Sequence, residues 1–385
     1  MADKPAVAVI GLGAIGAATL YHLARSGVRA LGIDRYSPPH EFGSSHGETR
    51  ITRLAVGEGA AYMPLVRRSH ELWRELEAET GADIMITTGG IMIGSADGAP
   101  MHGVSGFVSA TAALAASHDI EHELLEPAEA RRRFPEFAVP DDAEIYYEPA
   151  SGYLRPEAAV AAQLDGARRH GATVVTGAVV RSIEGASGGG VTIVTDDHSY
   201  TVDRCVVAAG AWVKDFLPRR CQASFAITRQ VLHWLPVTPG SYGLPGTPIY
   251  IWCFGPDAGD AFYGFPSLDD RCIKVATETQ GDIGHPDAIE REVSAAEQHR
   301  FHDHITAGRL REVLGPPERS TVCQYTETPV GQFIVDRHPE NAAVLIASCC
   351  SGHGFKHSAA LGEALAEALR TDSEPDVLKP FASPW

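Results

Sequence analysis

The sequence predicts an α/β fold in which a parallel-sheet domain is interrupted twice by a mostly antiparallel β domain, and three observations lead there. The first is the order at the N-terminus. An apolar run, Ala6-Val7-Ala8-Val9-Ile10, meets Gly11-Leu12-Gly13-Ala14-Ile15-Gly16, then helical spacing at Ala17, Leu20, Tyr21, Leu23 and Ala24. The second is the return of the same strand–glycine–helix pattern far along the chain. Cys205-Val206-Val207-Ala208-Ala209 runs into Gly210-Ala211-Trp212, and Ala343-Val344-Leu345-Ile346-Ala347 precedes Ser351-Gly352-His353-Gly354-Phe355-Lys356. The third is a change of texture between them. Residues 225–275 carry short β-rich runs, Val231–Leu235 and Ile249–Phe254, broken by Pro and Gly as in an antiparallel sheet.

The N-terminal pattern has a physical reason at each position. Gly11 permits a tight strand-to-helix turn, Gly13 lets backbone approach a pyrophosphate, and Gly16 allows close helix–strand packing. The helix start at Ala14 and Ile15 offers N–H groups and a positive dipole end to phosphates. A second apolar run, Ala30-Leu31-Gly32-Ile33, ends in Asp34-Arg35, where an acid can hold a ribose hydroxyl. Glycines alone are a weak signal; strand, glycines, helix, strand and acid in order make a Rossmann-like dinucleotide site. Helices are expected over 65–79, 156–170 and 289–313. The nucleotide domain is assigned to 1–85, 150–220 and 324–385, and the substrate domain to 86–149 and 221–323.

Composition narrows the class. A chain of 385 residues exceeds one ordinary core. No apolar run approaches the roughly 20 residues of a membrane helix. Met1-Ala2-Asp3-Lys4-Pro5 leads almost directly into the first strand, so no signal peptide is expected. A net charge of −17 argues against nucleic acid and anionic membranes as partners. Seven cysteines without a CxxC pair suit a reducing cytoplasm. The 17 histidines include His299, His302 and His304, but these lie in a charged segment that reads as a solvated face, and no metal is assigned.

With these pieces in order, the sequence resembles the monomeric sarcosine oxidase and N-methyltryptophan oxidase family of flavoproteins. The matches are Gly43-Ser44-Ser45-His46-Gly47-Glu48-Thr49-Arg50, Tyr263-Gly264-Phe265-Pro266, Cys323-Gln324-Tyr325-Thr326 and Ser351–Lys356. The resemblance implies a glucose-oxidase or D-amino-acid-oxidase-like fold. It also implies FAD bound covalently through a thioether from Cys323 to the flavin 8α-methyl. Without the resemblance, Cys323 reads as a small buried hydrophobe. The implied reaction is oxidation of a secondary amine that carries a carboxylate. Hydride passes to the flavin, the imine hydrolyses to an aldehyde and a primary amine, and dioxygen reoxidises the flavin with release of hydrogen peroxide. The family members act as monomers, and the same is expected here.

By the same resemblance, Arg53 and Lys356 bind the substrate carboxylate, where a guanidinium fork and a point charge are suited to it. Lys274 activates oxygen, Arg50 and His46 lie against the flavin, and Tyr263 lines the substrate side. Ser44, Ser45, Thr49, Gly210, Gly352, Gly354 and Phe355 join the cofactor wall, and Trp252 is a candidate for the side-chain pocket. One departure stands out. Sarcosine-type members carry histidine four residues after the oxygen-activating lysine, where this chain has Glu278. A carboxylate there shifts neighbouring pKa values and argues against sarcosine as the preferred amine. Three alternatives remain at this point: an oxidase of cyclic imino or D-amino acids, a nicotinamide-dependent dehydrogenase, and a non-catalytic flavin-binding module.

Overall fold

Six strands form the first sheet, in the spatial order Ile334–His338, Asn341–Ser348, Arg204–Val207, Val7–Ile10, Ala30–Ile33 and Thr173–Val175. The computed structural model describes residues 5–385 except 96, 97, 99, 103, 188, 258, 279, 280 and 384. All pairings in this sheet are parallel save the outermost, Ile334–His338 against Asn341–Ser348. Val7–Ile10 is buried at every position, which is why it reads as an unbroken apolar run rather than an alternation. The helix Ala14–Arg25 packs between Pro156–Arg169 and Ser358–Thr371. A Cβ on Gly362 would fall 2.3 Å from the Ala18 Cβ, so two helix backbones meet there only because one side chain is missing.

The second sheet has eight strands: Arg319–Glu327, Ala226–Pro236, Cys272–Thr277, Ala261–Gly264, Ile249–Cys253, Gly90–Gly94, Glu144–Glu148 and Glu123–Leu124. Its pairings are antiparallel except Ile249–Cys253 with Gly90–Gly94. The period-2 alternation sorts its side chains. Ile273 and Val275 join Tyr250, Trp252, Phe262 and Phe301 in a core on one face. Ala276 packs with Leu232, Trp234, Cys323 and Tyr263 on the other, where the intervening Lys274 also points. A small sheet of Arg50–Thr52, Gly152–Leu154 and Met85–Thr87 lies between the two large ones in sequence.

Two expectations about elements meet different geometry. The strand Arg319–Glu327 belongs wholly to the eight-stranded sheet, so the expected boundary between 323 and 324 falls inside one strand. The helix expected over 289–313 is only Ala295–Phe301, followed by a π-type turn at His302–Thr306. Ser294 caps it, its Oγ accepting from Glu297 N at 3.2 Å, which fixes a late start. Gly308, at φ 78°, turns the chain out of helical geometry. The expected helix over 65–79 is present as Met63–Thr80, closed by Gly81 at φ 72°.

Candidate active site

A cleft opens at the carboxyl ends of the parallel strands, where open α/β sheets bind their ligands. Gly11 stands at φ 85°, and a Cβ there would lie 2.5 Å from the Ala208 carbonyl oxygen. Gly13, Ala14 and Ile15 form the helix-side wall, and Gly210 faces them from the end of Arg204–Val207. Gly16 approaches Gly11 so closely that a Cβ would sit 1.8 Å from its oxygen. Asp34 is buried in the wall and stitches the turn: Oδ2 accepts from Leu12 N and Oδ1 from Tyr36 N, each at 2.7 Å. The Arg35 guanidinium lies 5.1 Å from the Tyr36 ring and 4.8 Å from Trp212, with Asp287 at 3.3 Å.

The loop from Gly43 to Arg50 closes the middle of the cleft. Ser44 and Ser45 line it, and Ser45 Oγ accepts from Ala14 N at 3.1 Å, tying the loop to the first helix. Glu157 fixes the far side, Oε1 accepting from Gly47 N at 2.6 Å and Glu48 N at 3.1 Å. Arg50 donates to the Ser44 carbonyl at 2.7 Å and the Thr49 carbonyl at 2.8 Å. Its Nη2 lies 3.7 Å from Cys323 Sγ. Burial opposes the Arg50 charge, yet Cys323, Tyr263 and Tyr325 around it hold the guanidinium above its ordinary value. Cys323 is buried directly behind Arg50 and Ser44, which form the cleft surface at that point.

Lys274 reaches the same loop from the other sheet. Its Nζ donates to the Gly47 and Thr49 carbonyls, each at 2.7 Å, and lies 4.3 Å from the Phe265 ring centre. Burial, and then the charge of Arg50, depress its pKa well below the usual lysine value. His46 is lowered to about 3 by burial, with Arg50 and Lys274 adding to the effect, so its imidazole is neutral. Tyr263 and Tyr325 share a hydrogen bond of 3.1 Å between their hydroxyls.

The two expected clamp residues meet over an unexpected carboxylate. Arg53 and Lys356 are 1% and 4% exposed, and both bind Glu58: Arg53 Nη2 at 2.8 Å and Lys356 Nζ at 3.1 Å. Arg53 also donates to Ala55 O, and Lys356 to His353 O. Burial would raise the Glu58 carboxyl, but Arg53, Lys356 and His102 hold it well below the carboxylate range. Burial brings Lys356 down to about 8 despite Glu58. His102 lies 3.2 Å from Glu58 through Nδ1 and contacts Glu278 through Nε2. Burial acts against the imidazolium, but Glu278 and Glu58 raise it to about 9. Gly352, at φ 76°, backs this group; a Cβ on it would stand 3.2 Å from each of Glu278, His102 and Tyr325.

Sequence reasoning did not find Glu58, His102, Glu148 or Glu157. Glu148 is fully buried and accepts from Leu54 N at 2.7 Å and Ala55 N at 3.1 Å, so it sets the backbone next to Arg53. Glu58 carried a signal, an acid five residues after the clamp arginine, whereas His102 had none. Trp252 needs correction as a pocket residue. It sits on the opposite face of its sheet from Tyr263, packed against Phe262 with ring centres 5.7 Å apart. Strand alternation puts it there, because Ile251, its neighbour, takes the site-side face.

The model of the FAD dependent oxidoreductase family matches residues 6–368. The chain belongs to that family. It is 37% identical over 371 residues to the monomeric sarcosine oxidase of Streptomyces avermitilis, covering 95% of this chain and 93% of the relative. It is 34% identical over 386 residues to the N-methyl-L-tryptophan oxidase of Yersinia pestis strain Pestoides F, covering 97% of each. Among solved structures, NikD, an amino acid oxidase essential for nikkomycin biosynthesis, superposes with a TM-score of 0.85 at 22% identity, covering 99% of this chain and 97% of NikD. Glycine oxidase from Geobacillus kaustophilus gives 0.75 at 20% identity, covering 98% of each chain. These two share the fold. The protein is therefore an FAD-dependent amine oxidase related to the sarcosine and N-methyltryptophan oxidases.

The cleft fits FAD on its own terms. Gly11 and Gly13 leave the helix start bare for a pyrophosphate, and Asp34 lines the cleft after the second strand, the position from which an acid would hold a ribose hydroxyl. Arg35 Nε and Ser348 Oγ, both in cleft-lining residues, are buried without a hydrogen-bond partner, as is Thr49 Oγ1 in the loop beside it. Buried polar atoms are ordinarily hydrogen-bonded, so these leave donors and acceptors open to a polar ligand in the cleft. Gly354 packs against Cys349 O, where a Cβ would stand 1.7 Å away, and so brings Phe355 into the wall. No helix among the described residues is long and apolar enough to cross a membrane.

Proposed function

We propose that this protein oxidises an N-methyl amino acid, holding FAD covalently through Cys323 and using dioxygen as electron acceptor, with an aldehyde, an amino acid and hydrogen peroxide as products. Bound FAD supplies the hydride acceptor. The chain supplies the rest: orientation, charge and exclusion of water. The observation that carries the reading is the pair of buried cations, Arg53 and Lys356, set beside the glycine-rich wall Gly352–Phe355 of the cofactor cleft. Two cations at that depth need an anion; Glu58 meets part of the need and a substrate carboxylate meets the remainder.

The other residues take roles by position. Arg50, partly buried at the cleft wall and held above its ordinary pKa, favours negative charge at the cleft surface next to Cys323. Lys274, its pKa drawn down by burial and Arg50, is locked onto two carbonyls of the cofactor loop and places a preorganised N–H donor in a dry site, where such groups act strongly. Tyr263 and Tyr325 form a paired hydroxyl wall on the side of Glu278. Glu278, where sarcosine-type members carry histidine, favours an amine with an extra cationic or hydrogen-bonding group over sarcosine. A panel read by peroxide release tests the whole reading. N-methyl amino acids should turn over, their decarboxylated amines should not, and sarcosine should be poor. Equal turnover of the decarboxylated amines would overturn the clamp.

A further inference from the structure

We propose that His102 is a positioning residue that supplies the positive charge on which carboxylate binding at Arg53 and Lys356 depends, by holding Glu58 and Glu278 in ion pairs. The inference rests on the clamp reading above and deepens it.

The clamp is not a bare pair of cations. Glu58 lies between Arg53 and Lys356 and is 2% exposed at its side chain, so its negative charge is spent inside the site. Glu278 adds a second carboxylate to the same cluster, beside Gly352 and against His102. Arg53 and Lys356 against Glu58 and Glu278 leave no net charge. A monoanionic ligand entering a neutral, buried site exchanges its hydration for nothing in return. The imidazolium of His102 changes that balance: three cations then face two carboxylates, and the group carries one positive charge, matched to one carboxylate.

The geometry suits the role. His102 sits at φ 49° in the loop after Gly90–Gly94, with Nδ1 3.2 Å from a Glu58 oxygen and Nε2 against Glu278; these are charge contacts, since neither ring nitrogen makes a hydrogen bond among the described residues. The groups facing it are Glu58, Glu278, the His353 ring at 5.0 Å and the edge of Phe107 at 6.1 Å. Arg53 and Lys356 stand behind Glu58, and Glu327 acts on it from the strand Arg319–Glu327. His353 is held neutral by burial, so it adds no competing charge. Glu327 is raised by burial and by Glu278, which reduces its weight in the balance. Among the described residues the charged partners of His102 are Glu58 and Glu278, so its effect on a bound carboxylate passes through them.

The test is calorimetric titration of the flavin-loaded protein at pH 7 with 2-furoate, a monocarboxylate without an amine. His102→Gln should weaken binding on the order of tenfold to a hundredfold, the effect of one unit charge at a few ångströms in a medium of intermediate dielectric. Glu278→Gln should tighten it, and the double variant should return to within a few-fold of the unaltered protein. Restoration by removing an anion elsewhere is what a merely structural histidine would not show. Raising the pH should weaken binding in the unaltered protein in two steps, near Lys356 at about 8 and His102 at about 9. The double variant should keep only the first. Unchanged binding in His102→Gln, or a double variant as weak as that single change, overturns the inference while leaving the clamp standing. If the unaltered protein does not bind 2-furoate, the clamp itself falls. Glu278→Gln reads the same balance with the opposite sign, so a His102→Gln chain that fails to fold does not remove the test.

Discussion

Replacing Glu58 with glutamine should destabilise the protein and at the same time improve its hold on carboxylates. The structure sets both signs. Glu58 accepts from Arg53 at 2.8 Å and from Lys356 at 3.1 Å and lies 3.2 Å from His102, all in a site nearly closed to water. Removing one partner of a buried ion pair costs about 3–5 kcal/mol, because the remaining charges stay buried and uncompensated. The glutamine oxygen still accepts one hydrogen bond, so the lower end, about 3 kcal/mol, is expected. In a chain of this size that corresponds to a fall in melting temperature of about 4 °C. The surplus charge then favours an incoming anion. A monocarboxylate at a hundred times its Kd adds about 2.7 kcal/mol and should recover most of the loss. The Glu58 carboxyl is depressed in the folded protein, so its contribution is present above the unfolded value of 4.5 and fades as pH falls through the folded value. Differential scanning fluorimetry of both proteins from pH 7 down to the acid limit of folding, with and without 2-furoate, reads all three effects. Equal melting temperatures, or weaker carboxylate binding in the variant, would refute the assignment of Glu58 as the built-in counter-ion.

Cys323→Ser should leave a folded protein whose flavin is released on acid precipitation; an unmodified intact mass for the wild-type chain from flavin-replete cells would sink the covalent assignment. Lys274→Met should slow reoxidation by dioxygen roughly 10²–10³-fold while slowing anaerobic reduction by amine much less, as stopped-flow absorbance can separate. Equal slowing of both half-reactions would make Lys274 a structural latch for Gly47 and Thr49 instead. Trp252→Phe should cost about 1–3 kcal/mol of stability, as a core truncation does, and leave the ratio of rates across an amine panel unchanged. A changed ratio would return Trp252 to the substrate pocket.

The parts legible in the sequence were those in which local order and chemistry coincide. Val7–Ile10, the glycines to Gly16 and Asp34 form one short segment whose spacing alone dictates turn, strand and ligand approach. Arg50, Lys274 and Cys323 were readable only through family resemblance, because residues 50, 274 and 323 meet by tertiary folding that no local pattern reports. His102 illustrates the limit. It acquires meaning from Glu58 and Glu278, which lie 44 and 176 residues away on other elements. Trp252 shows the opposite error: an aromatic in a strand was visible, but which sheet face it takes depends on register with Phe262 and Ile93. The helix expected across 289–313 was shortened by a serine cap and a left-handed glycine whose effects outweigh amphipathic spacing.

The cofactor loop is gripped from two directions. From the nucleotide side, Ser45 meets Ala14 and Glu157 holds Gly47 and Glu48. From the antiparallel sheet, Lys274 takes the Gly47 and Thr49 carbonyls, Trp234 Nε1 donates to Glu48 at 2.8 Å, Arg319 pairs with Glu48, and Gln324 donates to Phe42 O at 2.9 Å. Opening the two halves about a hinge would break these bonds together, at about 1 kcal/mol each for the neutral ones and more for the charged. The molecule is riveted at its working centre. Displacing Glu58, by contrast, breaks only its pairs with Arg53, Lys356 and His102 and leaves the bonds that hold the cofactor loop intact.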